Sequence, residues 1–210
     1  MASIRVGTVF TGEVDKINQE SIQTKFFLLG LPLFPLESYY CLRMTQQGVQ
    51  GFPIKLNFKS VIMAYLRWWF GIASIVGIIL AFASSDYFII LPSIAGLAIA
   101  ISTIWTGRLS KREKYRRQVL INVIGMGAPP NLLPESTVLE VSTKLENAWK
   151  QSAFGAYQEN WQSISSLSSV PKNMLPLLFC LALYKKNNQV AEKVWQIIEA
   201  SIQSQSSQIK

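Results

Sequence analysis

Residues 60–106 read SVIMAYLRWWFGIASIVGIILAFASSDYFIILPSIAGLAIAISTIWT and hold one basic residue, Arg67, and one acidic residue, Asp86. About 20 apolar residues in a helix cross the hydrocarbon core of a bilayer, and about 17 suffice at the low end. Residues 61–84 and 87–106 both reach that length, and only the short turn around Ser84-Ser85-Asp86 joins them. Spans joined so tightly must run antiparallel, so the pattern predicts a transmembrane helical hairpin. Pro92 falls within the first two turns of the second span, where a missing backbone N–H costs least.

Working outward from the apolar runs, Trp68, Trp69 and Trp105 mark the interfacial depth. Arg67 is expected to lie there too, its stem along the helix and its guanidinium reaching headgroup phosphates; the alternative is a buried charge lining a pathway. Ile, Leu, Val, Ala, Gly and Ser fill the middle of both spans. Transporters and proton relays place ionisable groups there, often beside broken helices, so an anchoring role is favoured. Small residues four apart, Ala73 with Gly77 and Gly96 with Ala100, predict a close helix–helix seam.

Orientation follows from the basic residues. Lys55, Lys59 and Arg67 precede the first span, the hairpin turn has no Lys or Arg, and six basic residues follow the second span: Arg108, Lys111, Arg112, Lys114, Arg116 and Arg117. Lys and Arg stay on the cytoplasmic side, so both termini are expected there. The cluster also suits anionic lipid headgroups. Of the net charge of +8, most sits in this stretch, while residues 119–210 are nearly balanced with seven basic and six acidic residues. That distribution offers no basic face for nucleic acid.

Half of the chain's 210 residues are hydrophobic and only 15% are charged, well below a soluble domain's share. There is no histidine, and the two cysteines, Cys41 and Cys180, are far apart. Cys/His metal sites and imidazole-based catalysis are therefore excluded, and no disulfide framework is expected. Glu135, Glu140, Glu146 and Glu159 are spread along helix faces, and no phosphate-cradling glycine loop or nucleophile–base pair is present. The chain is expected to be no enzyme and to need no cofactor. Met1 to Glu20 has no apolar run and does not read as a cleaved signal peptide.

Before the hairpin, IRVGTVF, IQTKFFLL, LESYYCLRM and FPIKLNF have β-forming composition, with loops expected at Asp15 to Glu20 and Gln46 to Gly51. They predict a small antiparallel meander over residues 1–59. Pro32 and Pro35 set a corner, and Phe26, Phe27, Phe34, Tyr39 and Tyr40 supply its apolar surface as core or as a docking face. The stretch TKFFLLGLPLFPLESYY, residues 24–40, resembles a segment of small bacterial membrane-associated proteins of the zinc-ribbon type, in which a Pro-x-x-Pro corner precedes a cysteine pair. Cys41 has no companion here, so the resemblance implies a related small β-fold without zinc.

After the hairpin, residues 107–134 read as a basic juxtamembrane helix and the Gly/Pro linker GMGAPPNLLP. Residues 135–205 read as four helices. The first opens with a capping box at Thr137 and Glu140 and buries Val138, Val141, Leu145, Ala148 and Trp149. The others are expected near Ala156–Leu167, Asn173–Tyr184 and Gln189–Ile202. MLPLLFCLALY is too short to span and predicts a buried core helix. The two helix pairs look similar to tetratricopeptide-type hairpins, with Ala191 and Trp195, and less well Tyr157 and Trp161, at the small-residue and aromatic positions.

The expected fold is thus a membrane protein with a small antiparallel β N-terminal domain, a two-helix transmembrane hairpin and an all-α C-terminal domain. The function that fits is a membrane-anchored, non-catalytic interaction protein, an adaptor or accessory subunit of a larger membrane complex, in a bacterial cytoplasmic membrane. The alternative is an oligomeric small channel or transport component. Partners would be other subunits or a second copy, with Phe34, Tyr39, Tyr40, Trp149, Trp161 and Trp195 as aromatic docking candidates.

Overall fold

β-branched and aromatic residues crowd the first 54 positions, and four strands form there: β1 (Val6–Ile17), β2 (Glu20–Leu29), β3 (Pro32–Thr45) and β4 (Gly48–Ile54). They pair antiparallel in the order β1-β2-β3-β4, the expected meander. The computed structural model describes residues 6–29, 32–45, 48–84, 87–152, 154, 161–163 and 170–208. The chain divides into two units, Met1–Lys114 and Tyr115–Lys210.

The strands outrun their sequence patches. Asp15 and Lys16, expected in a loop, belong to β1, and only Asn18 and Gln19 turn the chain into β2. Asn18 takes a left-handed φ of 51°, which Asn tolerates better than most residues. β1 also carries two bulges: from Thr11 to Val14 and from Val14 to Ile17, an extra β1 residue interrupts the pairing with β2. Gly12 (φ 73°) and Asp15 (φ 54°) occupy the bulges. Gly12 also lets helix backbone approach, because a Cβ there would lie 2.2 Å from the Ser60 carbonyl oxygen. Pro32 and Pro35 sit at irregularities in the β2–β3 pairing, where strand proline is tolerated.

Asn57 caps α1 (Phe58–Tyr65), its Oδ1 accepting from the Ser60 N–H at 3.0 Å. The helix passes through a π-helical turn, Leu66–Phe70, into α2 (Gly71–Ser84). The combined helix Phe58–Ala83 is 26 residues long and apolar enough to cross a membrane, and only 11% of its most apolar stretch is buried. α3 (Ile90–Thr106) has 17 residues and meets the same length only when joined to α4 (Lys111–Ile124). One or two candidate spans are therefore present. Asp86 and Ser85 of the expected turn lie outside the described residues.

α2 and α3 meet along small residues. Ser74 and Ala81 on α2, and Ser93, Gly96, Ala100 and Thr103 on α3, are buried. A Cβ on Gly77 would lie 2.2 Å from Ser93 Oγ, and one on Gly96 2.5 Å from Ser74 Oγ, so each glycine receives a serine of the other helix. The serines satisfy themselves within their own helices, Ser74 donating to the Phe70 carbonyl (2.6 Å) and Ser93 to that of Ile89 (2.8 Å). Ala73, expected in this seam, is exposed; Ser74 takes its place because the seam runs Ser74, Gly77, Ala81 at alternating spacings of three and four, not at four throughout.

The sheet and the helices share one interior. Phe26, Val61 and Ala64 form its centre, with Val9 and Tyr65 against them. Through it runs a single file of hydrogen bonds: the Asn57 N–H donates to Ser38 Oγ (2.9 Å), Ser38 pairs with Thr24 (2.8 Å), Thr24 donates to Ser60 Oγ (2.9 Å), and Ser60 donates to the Gly12 carbonyl (2.7 Å). Each hydroxyl accepts once and donates once, so buried polar groups are fully used. The far end of α3 is tied as well, by the Asp15 N–H to the Gly107 carbonyl at 2.8 Å.

In the second unit, α5 (Glu135–Gln151), α6 (Leu175–Tyr184) and α7 (Asn188–Gln208) bury Val141, Leu145, Trp149, Leu178, Phe179, Leu181, Val194 and Trp195. The MLPLLFCLALY segment is the buried core helix it was expected to be, with Pro176 in its first turn. The capping box at Thr137 does not form. α5 begins three residues earlier behind Pro134, whose carbonyl accepts from Val138 N–H (3.0 Å), and Glu140 turns instead to Lys144 (2.7 Å). Ala148 is exposed. The helix expected at Ala156–Leu167 lies outside the described residues except for a 3-10 turn, Trp161–Ser163.

Candidate functional site

A cavity of about 540 Å3 opens where the β1 bulge meets the feet of the apolar helices. Its cationic wall is Lys16, Arg67, Arg108 and Lys114; its apolar wall includes Val14, Ile17, Ile104 and Leu109; Glu13 is the one carboxylate in the lining. The bulge explains how β1 contributes. Residues three apart on a flat strand point to opposite faces, yet Glu13 and Lys16 pair at 3.2 Å because Asp15 adds a residue between Val14 and Ile17. Asp15 is itself fixed, through its N–H on Gly107 and its carboxylate on Lys59 Nζ at 2.5 Å.

Arg67 comes from the π-helical turn, which offsets the side chains that follow α1. Its Nε donates to Thr103 Oγ1 (3.1 Å) and a terminal nitrogen donates to the Thr103 carbonyl (3.1 Å). That carbonyl belongs to the last turn of α3, where the helix dipole is negative, so the guanidinium is a C-terminal cap donated by the neighbouring helix. Arg108 lies over the Trp105 ring, 5.3 Å from its centroid.

Four of the other expected interfacial residues sit near this site. Trp68 is exposed and donates from Nε1 to Thr11 Oγ1 (3.1 Å), Trp69 and Trp105 are exposed, and Lys114 lines the cavity. Lys111 and Arg112 lie exposed on the first turn of α4, whose N-terminus is capped by Ser110 Oγ accepting from the Glu113 N–H (3.2 Å). Arg116 and Arg117 go elsewhere. Arg116 pairs with Glu192 and stacks on Trp195 (5.2 Å to the centroid), and Arg117 is buried in the helical unit. The six-residue basic cluster is thus split between two environments.

The aromatic candidates also divide. Phe34 is 64% exposed. Tyr39 is half-buried, edge-on to Phe10 at 5.4 Å, with its hydroxyl donating to Glu37 (2.7 Å); that bond, then burial, then the carboxylate's charge raise its pKa. Tyr40 is buried and donates to Glu20 (2.6 Å). Trp149, Trp161 and Trp195 are buried in the helical unit.

Cys41 and Cys180 are buried free thiols whose pKa values burial pushes up to about 11 and about 12. Among the described residues, no three His, Cys, Asp or Glu side chains gather as a metal site would require. Sequence reasoning missed Glu13, Lys16 and Thr103 as neighbours of Arg67. The Ser110-x-x-Glu113 pattern was a legible signal that the helix stops before α4 begins. No protein-family model, curated protein or solved structure matches the chain.

Proposed function

We propose that this chain is a non-catalytic protein anchored in a membrane by the α1–α3 hairpin, serving as an adaptor or accessory subunit of a larger membrane assembly. The observation that carries the reading is the hairpin's outer surface. Ile75, Ile79, Phe82, Leu91 and Ile101 are all more than half exposed, on opposite sides of a seam packed with small residues. Exposed apolar side chains on both helices of a pair mark a surface meant to be covered by lipid or protein. A bilayer removes it at no cost to the seam.

Two further features support an anchor over a conduit. Arg67, the single charge among the described residues from Ser60 to Thr106, is engaged at the foot of the hairpin by Thr103 and not at mid-depth. The sheet is hydrogen-bonded to the starts and ends of the helices, which holds a folded module close to one membrane face. Basic residues at both feet favour the cytoplasmic face, with both termini there. The membrane is proposed to be a bacterial cytoplasmic one.

The experiment is expression of the full chain, alkaline extraction of membranes, and purification in mild detergent without crosslinking. Retention in the extracted membrane and stoichiometric recovery with a larger complex are expected. Release by alkali overturns the anchor, and a homo-oligomer of fixed size or a lone monomer overturns the adaptor.

A further inference from the structure

We propose that the cavity at the foot of the hairpin is a specific site for the phosphate of an anionic phospholipid headgroup. Four cations and one carboxylate line it, leaving a net three positive charges in a concave volume of about 540 Å3. That is room for a phosphodiester with its glycerol, since small-ligand sites run from about 300 to 1,000 Å3. The wall is two-sided, with Ile104 and Leu109 offering apolar surface beside the cations and the buried Val14 and Ile17 backing it. A lipid headgroup has both kinds of surface; inorganic phosphate has one.

Arg67 is the organising group. A guanidinium has five N–H donors in a rigid fork, suited to phosphate oxygens. Thr103 takes two of them through its hydroxyl and carbonyl, which fixes the plane and leaves three for a ligand. Gly107 adds to the fit, since a Cβ there would lie 3.2 Å from the Arg67 terminal nitrogen. The bulge at Asp15 then brings Lys16, with its partner Glu13, from the sheet to the same opening.

Depth selects the lipid over a soluble anion. Arg67 adjoins Trp68 and Trp69, and Ile104 and Arg108 flank Trp105, so the cavity opens at the level where indole rings meet headgroups. This assignment rests on the anchor reading and goes beyond general attraction of basic residues to an anionic leaflet, because it names one bound lipid and the side chains that hold it.

The test uses the full chain in non-ionic detergent, titrated with dioctanoyl phosphatidylglycerol, with dioctanoyl phosphatidylcholine and with inorganic phosphate, binding being read by intact-complex mass spectrometry. One phosphatidylglycerol per chain is expected, bound at least tenfold more tightly than phosphatidylcholine and not displaced by millimolar phosphate. Each nearby cation contributes about fivefold, so the double variant Lys16→Gln/Arg108→Gln weakens binding about 25-fold. Lys111→Gln/Arg112→Gln removes the same charge outside the cavity and costs under threefold. Arg67→Lys keeps the charge but loses the fork, and weakens binding at least fivefold.

Equal losses from the two double variants would reduce the site to diffuse electrostatics and overturn it. Phosphate binding as tightly as the lipid would overturn the lipid assignment. A wild-type chain that alkali extracts from membranes yet binds phosphatidylglycerol as described defeats the anchor alone and leaves the site standing.

Discussion

Thr24→Val tests whether the file of hydrogen bonds holds the sheet to α1. Thr24, Ser38 and Ser60 have no exposed surface, and Thr24 Oγ1 is the link between the other two hydroxyls. Valine matches threonine in shape, so packing is retained while two bonds go. Each bond is worth about 1 kcal/mol net, and a buried hydroxyl left without a partner adds to the loss, giving about 2–3 kcal/mol. At about 1.4 kcal/mol per factor of ten, amides of β1–β3 should exchange with solvent roughly 30- to 150-fold faster. Thr24→Ser keeps the hydroxyl and gives up one methyl, about 1 kcal/mol or about fivefold. The assay is hydrogen exchange of the full chain in detergent, read by mass spectrometry on peptides from the strands. Exchange within threefold of wild type for Thr24→Val, or equal acceleration by Thr24→Ser, would refute the reasoning.

Other consequences follow from single residues. Gly77→Leu should separate α2 from α3 and lower the thermal unfolding temperature in detergent. Gly71→Ala, whose Cβ would meet nothing within 4 Å, should be neutral or stabilising by up to about 1 kcal/mol. Arg116→Lys keeps a charge for Glu192 but loses the planar stack on Trp195, and a cost of about 1 kcal/mol is expected in denaturant unfolding of the helical unit. Lys185 first, with Lys150, holds the Glu146 carboxylate below its ordinary pKa, so this interaction contributes stability above about pH 4.3, the unfolded value, and loses it as pH falls through the lower folded value. The stability gap between wild type and Glu146→Gln should therefore be present at pH 7 and close in acid. Cys180, with its pKa pushed up to about 12, should resist alkylation at pH 8 until the helical unit is unfolded.

The apolar helices and the meander were legible because their signals are local: long uncharged runs, and β-forming patches between polar turns. The core helix at Leu175–Tyr184 was legible for the same reason, being too apolar for solvent and too short to span. The bulges in β1 were not legible, since Gly12 and Asp15 acquire their left-handed conformations from the way β1 packs on Ser60 and Gly107. Nor was the choice of Ser74 over Ala73 in the seam, because residues three and four before Gly77 both lie on its side of the helix and only the fit against Gly96 selects between them.

The sequence by itself determined that the apolar runs at 61–84 and 87–106 are helical, that Arg67 stands at one end of them with tryptophans beside it, and that basic residues crowd the exit. Composition and hydropathy are additive along the chain, so they can be read without a fold. Tertiary structure alone decided what Arg67 faces. Its hydrogen-bond partner Thr103 lies 36 residues away and the Glu13–Lys16 pair comes from a bulged strand, and only the packing of the sheet against both helix feet turns those distant side chains into one cavity.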